Sequence, residues 1–396
     1  MGFRPDEDQR ALREGMRALL AARFPRERLR GAVDAAEAEA AGARADAGAA
    51  GEAGGRRAGS GRARPEGGGD AAPPRAVAVV DPELWRALGE AGFFALRLPE
   101  RDGGAGLGLP EAAVLFEEAG RALLPGPLTA THLAAGLLPG AADGTAVVTA
   151  LDRPGPAEHL AAAGHVLLLD GTGTRLLEFT AGTAPTALDA RPLRAVDPLT
   201  PLHHVARLPA PPQAAEARTG GTVRTGAART VSVPADRIRY EALVLTAAQQ
   251  LGGAGRMLGM AVEHARRRSQ FGRPVGSFQA VQHLCARMLV RVETARAAVR
   301  AASATDSPTD AVTAKLLADR AAVRNARDCL QVHGGLGFTW ESDVHLYLKR
   351  AWTRACQWQS AAEAEEFLAN ELLLNDPWNR TAVDAPDASA KGNVTV

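Results

Sequence analysis

The chain has 396 residues and a formal net charge of +1, with 46 Lys and Arg against 45 Asp and Glu. Charges of both signs are mixed along it, which argues against a nucleic-acid partner held by charge and against a polybasic membrane anchor. Its length suffices for two or three domains with a sizeable core.

The N-terminus carries no apolar signal core and no run of 18 apolar residues occurs, so no membrane span and a cytoplasmic location are expected. Cys285, Cys329 and Cys356 lie far apart within helical patterns, which fits a reducing compartment without a disulfide or zinc framework. The first predicted helix runs from Pro5 to Pro25, with Asp6 or Asp8 as its cap and Leu12, Met16, Leu19 and Leu20 on its apolar face. Residues 31–77 combine Gly, Ala and charge with almost no large apolar side chain. Such a segment buries too little to offset the entropy of ordering, so it reads as a disordered insertion whose first part is a frayed helix. Its basic pieces, Arg56–Arg57 and Arg62–Arg64, read as solvated linker. Structure resumes at Asp81, which caps a helix with Pro82 at its first position and Leu84, Trp85 and Leu88 facing inward. Gly103–Gly108 lacks a βαβ unit around it and reads as a Gly-rich turn, not a dinucleotide fingerprint.

From Gly144 the period changes. Ala146–Val148, Val166–Leu169, Thr222–Val223 and Val231–Val233 are short strand patterns, and Asp170–Thr174 reads as a hairpin turn. His203–His204 reads as a loop pair that binds no metal. Helical periodicity returns at Tyr240. Val281, Leu284, Cys285, Met288, Leu289 and Val292 follow the spacing of one buried stripe. A last helix reaches Leu374, and Asn375-Asp376-Pro377 breaks it. The fold class is therefore α+β, mainly α. An N-terminal helical domain (1–140, with the insertion at 31–77) precedes a small middle β domain (141–240). An antiparallel helical bundle (241–375) and a flexible tail (376–396) complete the chain.

Two glycine-bearing corners punctuate the bundle. Gly272, Pro274 and Gly276 precede one long helix; Gly334, Gly335 and Gly337 end the next, where backbone can approach a ligand. Arg268-Ser-Gln-Phe-Gly272, continued by Arg-Pro-Val-Gly-Ser-Phe-Gln279, resembles the first signature of the acyl-CoA dehydrogenases. Gln331-Val-His-Gly-Gly-Leu-Gly-Phe338 resembles the second, at matching spacing. The resemblance implies a divergent member, of a heteromeric or biosynthetic bacterial branch, with FAD bound across a subunit interface. It implies α,β-desaturation of an acyl thioester on coenzyme A or an acyl carrier protein, with electrons passed to an electron-transfer flavoprotein. Residue by residue, it implies that Arg268, Gln270 and Phe271 contact the adenine end and pyrophosphate. Gln331, Gly334 and Gly335 would hold the same part of the FAD on a neighbouring subunit. The residue chemistry agrees: Arg offers a planar fork to phosphate oxygens, and a Gly pair after a helix lets backbone N–H groups face a pyrophosphate.

The sequence also departs from the family. Many members place the base that removes the α proton some two dozen residues after the second signature, and here Gln357, Trp358 and Gln359 stand there. Another branch places it near the start of the first bundle helix. Glu241 lies within a residue of that position, where a helix-start Glu is also favoured by the helix dipole alone. Glu363, Glu365 and Glu366 come later, on a solvated face. The family's Trp-Ile-Thr/Ser strand beside the flavin ring has no counterpart, since no Trp lies between Gly144 and Tyr240. The catalytic residue is thus unassigned. Three readings stand: an active dehydrogenase with a displaced base, a catalytically incomplete partner of a homologous subunit in a heteromer, or a repurposed fold with non-redox thioester chemistry.

Overall fold

The computed structural model describes residues 6–55, 80–180, 182–209 and 228–374. Helix α1 (Glu7–Arg23) starts where Asp6 accepts from the Gln9 N–H at 2.7 Å. Met16 and Leu20 are its buried residues. Helix α2 (Arg26–Gly55) follows almost without a break, and here the expected disorder from residue 31 is corrected. Leu29, Val33 and Ala36 are buried at i, i+4 and i+7, and alanine, the best helix former, is the commonest of the remaining residues. Arg26 holds the Asp343 carboxylate (2.6 and 3.0 Å), and Asp34 accepts from the Trp340 indole (3.1 Å). The rest of the expected insertion (56–77), the Thr222–Val223 strand and the tail beyond Leu374 lie outside the described residues.

Helices α3 (Pro82–Glu90), α4 (Leu109–Arg121) and α5 (Leu128–Ala134) complete the first part. Asp81 caps α3 through the Glu83 and Leu84 N–H groups (2.9 and 3.3 Å). The middle part contains β1 (Val148–Leu151), β2 (Gly155–Glu158), β3 (His165–Asp170), β4 (Gly173–Glu178), α6 (Ala184–Ala187), β5 (Arg191–Leu193), β6 (Leu202–Val205) and β7 (Ala228–Val231). They form two sheets of order β1-β3-β4-β7 and β2-β6-β5. Strands β3 and β4 are joined by Gly171 and Thr172, with Asp170 opposite Gly173. His203 and His204 lie on β6, not in a loop. A sheet edge partner, β5, comes from residues whose Pro and Arg gave no strand pattern.

The last part is helical: α7 (Ala235–Arg267), α8 (Gln279–Thr305), α9 (Pro308–His333), α10 (Val344–Ala355) and α11 (Ala361–Leu374). A two-strand hairpin, β8 (Ser269–Gln270) and β9 (Arg273–Pro274), joins α7 to α8. Of the expected α8 stripe, Met288 and Val292 are buried, while Leu289 is exposed on the outer face. No described helix is long and apolar enough to cross a membrane.

Helix α7 is the spine. At its middle it crosses α4 with backbones in contact. A Cβ built on Gly252 would lie 1.8 Å from the Glu117 carbonyl oxygen, and one on Gly120 would lie 2.0 Å from the Gln249 carbonyl oxygen. Only glycine at both positions permits this approach. Gly252→Ala should therefore destabilise the protein by about 1–3 kcal/mol or more through overpacking. Gly255→Ala, whose Cβ would meet nothing within 4 Å, should be stabilising by about 0.5–1 kcal/mol, because a mid-helix glycine is costly. Urea denaturation of the two variants checks this, and equal midpoints would refute the crossing as a constraint.

Candidate functional site

Helices α7 and α9 each lie antiparallel to α8, so their C-termini share one end of the bundle. There the His264 and His333 rings stack with centroids 4.1 Å apart. This contact brings the two signature corners together. All six residues expected at the cofactor, Arg268, Gln270, Phe271, Gln331, Gly334 and Gly335, are exposed at that end.

The first corner is a tight hairpin in which Gln270 pairs with Arg273 across Phe271 and Gly272. Both turn residues have positive φ, +54° and +76°, as a type I′ turn requires. Glycine adopts that geometry freely, but phenylalanine does so at a cost. The strained residue is also the most exposed large apolar one among the described residues, at 91%. Its ring touches only the edge of Phe278 among the aromatic rings (6.1 Å), and Phe278 in turn lies under Arg273. The turn thus holds an aromatic face out to solvent.

The second corner begins at Gly334, which ends α9 with φ +59°. A side chain on Gly334 or Gly335 would meet nothing within 4 Å, so neither glycine serves packing within this chain. What their missing Cβ atoms leave is bare backbone at a helix end. Arg268 is also unspent. Among the described residues no carboxylate pairs with it, whereas its neighbour Arg267 is held by Glu263 at 2.8 Å. A guanidinium with no described carboxylate partner, an amide, an aromatic face and exposed glycine backbone that a ligand can approach closely together suit a nucleotide with a pyrophosphate, so the adenine end of FAD fits these residues.

The other end of α7 meets a second feature. A cavity of about 420 Å³ lies between the β1–β2 turn, the β5–β6 edge and the α10–α11 corner. Trp352, Trp358, Val196 and Leu202 give it apolar walls, and Gln357 and Glu158 face it. That volume suits a small-molecule site. Trp352 and Trp358 come from outside the β domain, where sequence reasoning did not look for a ring to line such a site. Gln357 donates to the Glu158 carboxylate at 2.5 Å across 199 positions of sequence. No sequence signal pointed to Glu158.

Glu241 does not reach this cavity. It is buried and accepts two bonds from Arg97 (2.6 and 2.7 Å) and one from Arg237 (2.6 Å). Burial alone would raise its pKa, but the Arg97 and Arg237 bonds overcome this and hold it below the usual carboxylate range. A carboxylate so engaged is a structural ion pair and a poor base. Glu363 caps α11 through the Ser360 N–H and hydroxyl (both 2.7 Å) and pairs with Arg153.

Comparison with known proteins agrees with this geometry. The acyl-CoA dehydrogenase N-terminal domain model matches residues 71–147, and the C-terminal domain model matches residues 237–356. The acyl-CoA dehydrogenase IpdE2 of Mycobacterium tuberculosis is 37% identical over 296 residues, covering 74% of this chain and 87% of that one. FadE34 of the same organism is 34% identical over 300 residues, covering 68% of this chain and 40% of that longer one. The ChsE4-ChsE5 complex from Mycobacterium tuberculosis shares the fold at 21% identity, with a TM-score of 0.68 over 94% of this chain and 99% of the matched one.

The two family matches and these relatives thus define a flavin-dependent oxidoreductase. The chain belongs to the acyl-CoA dehydrogenase family, and its cofactor is FAD.

Two outcomes test the site. Arg268→Ala should weaken FAD binding roughly ten- to a hundred-fold, since a charge-assisted hydrogen bond is worth about 1.5–3 kcal/mol. Arg268→Lys should restore part of it, and Arg267→Ala should leave it nearly intact. Equal flavin retention by all variants, measured by absorbance in the flavin-binding assembly, would contradict the assignment. The second outcome concerns Glu241, whose depressed pKa stabilises the fold above its unfolded value, with loss as pH falls through the folded one. Glu241→Gln should cost about 1.5–3 kcal/mol at pH 7, and the gap to wild type should close on acidification through the carboxylate range. A gap independent of pH in denaturation curves would contradict the ion-pair role.

Proposed function

We propose that this chain desaturates an acyl thioester, on coenzyme A or an acyl carrier protein, within an assembly in which each FAD is shared by two chains. The observation that carries the sharing is a distance. The nucleotide corner and the apolar cavity sit at opposite ends of α7, whose 33 residues span about 50 Å. One flavin dinucleotide is too short to touch both in the same chain. Arg268, Gln270 and Phe271, with Gln331, Gly334 and Gly335, would therefore hold the adenine and pyrophosphate of an FAD whose ring lies in the cavity of another chain. The exposed apolar residues near this end, Phe338 (78%) and Val290 (64%) with Leu289 and Leu336, suit burial against such a partner. Bound FAD supplies the hydride acceptor for the β carbon. The chain's own task is to exclude water from the thioester, orient it between Trp352 and Trp358, and take the α proton.

The partner is a second copy of this chain or a homologous subunit. An electron-transfer flavoprotein would serve as the electron acceptor of this assembly. Flavin content decides between the partners. Protein expressed alone should carry about one FAD per chain if copies pair, whereas it should be colourless alone and yellow on co-expression if a homologous subunit completes the site. Absence of flavin from both preparations would overturn the shared-cofactor reading.

A further inference from the structure

Glu158 ends strand β2, and its backbone carbonyl accepts from the Thr149 hydroxyl at 2.7 Å, tying its position to β1. Its side chain faces the 420 Å³ cavity. Gln357, the residue at the family's usual base position, donates to its Oε2 at 2.5 Å. The β domain thus delivers a carboxylate to the place where the α10–α11 corner lacks one.

A half-buried acid is more often half of an ion pair than a base, so its neighbours decide. Among the described residues, Glu118 is held by Arg13 and Arg17, Asp197 by Arg350, Glu241 by Arg97 and Arg237, and Asp319 by Lys315. Glu158 has no cation within ion-pair distance among the described residues. Its side chain is bound by a neutral amide, and Oε1 accepts no hydrogen bond from a described residue. The charges around it are Arg350 and Arg354 on α10, Asp197 and Arg194 between β5 and β6, and Asp152 and Arg153 on the β1–β2 turn. His159 and Cys356 are the other titratable groups nearby. Burial pushes the Glu158 pKa up, Asp197 adds to this, and Arg354, the Gln357 bond and Arg350 pull it back only in part. A raised carboxylate in an apolar cavity is what general-base work near neutral pH requires.

We propose that Glu158 is the base that takes the α proton of the thioester, with Gln357 as its positioning residue. This rests on the acyl-thioester reading above. In the step, the Cα–H bond breaks and its proton forms an O–H bond at Oε1 of Glu158. The electron pair of the broken bond moves onto the thioester carbonyl as an enolate. Return of a solvent-derived proton to the α carbon restores the thioester, so the half-reaction consumes no oxidant.

The test follows this proton in D₂O, using the full chain in its flavin-binding assembly with the flavin reduced beforehand, so that no hydride can be accepted. Butyryl-, hexanoyl- and decanoyl-CoA are the probes. Mass spectrometry reads α-deuterium incorporation and calorimetry reads binding. Wild type should incorporate deuterium. Glu158→Gln should bind the probes comparably and lose exchange by roughly a hundred-fold or more. Gln357→Ala should keep exchange but move its pH midpoint upward, because a bond that favours the ionised carboxylate is gone. Exchange undiminished in Glu158→Gln, or an unmoved midpoint in Gln357→Ala, would overturn Glu158 as the base. Binding of the probes without any exchange in wild type would overturn it too, while leaving the thioester reading in place. Failure of all three probes, and of butyryl and decanoyl acyl carrier protein beside them, to bind would overturn that reading itself.

Discussion

The backbones of α4 and α7 touch at Gly120 and Gly252, and the placement of everything else along α7 depends on that crossing. Where two helices meet without side chains between them, neither can slide or rotate without collision. Helix α7 is thereby fixed against the N-terminal helices at its middle. Its first turns reach the β domain through Arg239 and Asp152 at 2.7 Å, and Arg268 directly follows its last turn. The separation of cavity and nucleotide corner is set by a rigid element locked at its centre. The proposed sharing of the cofactor rests on that separation more than on any single side chain.

The two ends of α7 show different economies. Near the cavity, charges are paired and buried: Arg350 with Asp197, Glu241 with Arg97, Lys315 with Asp319. Such pairs add little net stability over apolar packing but are costly to break, so they fix geometry. At the nucleotide corner the opposite holds. Phe271 is strained and bare, Gly334 and Gly335 leave open space, and Arg268 has no described acidic partner. Residues that cost their own fold something and repay nothing within it point to a contact outside the chain.

Much of this was legible in the sequence because it was local. Asp6 and Asp81 precede apolar-periodic runs, and each caps through its nearest N–H groups. Asp170 to Thr174 folds as a hairpin because two turn residues join two apolar strands. The Phe271–Gly272 and Gly334–Gly335 corners stood out by glycine alone. Other features were hidden for stated reasons. Helix α2 rests on alanine propensity and a sparse trio, Leu29, Val33 and Ala36, that a composition argument discards. Strand β2 begins with Gly155-Pro156 and so lacks a strand pattern. His203 sits in β6 because β2 and β5 flank it, which no short window of sequence can show. Glu158 meets Gln357 only through tertiary structure, so a search along the chain for a base beyond Gly335 finds an amide.

The account stands or falls on how one FAD is divided between chains. A structure of the flavin-loaded assembly measures this directly. The account predicts the pyrophosphate against Arg268 and the Gly334–Gly335 backbone of one chain, with the isoalloxazine ring in the cavity beside Trp358 of another. An FAD whose adenine and ring ends are both held by a single chain would contradict it.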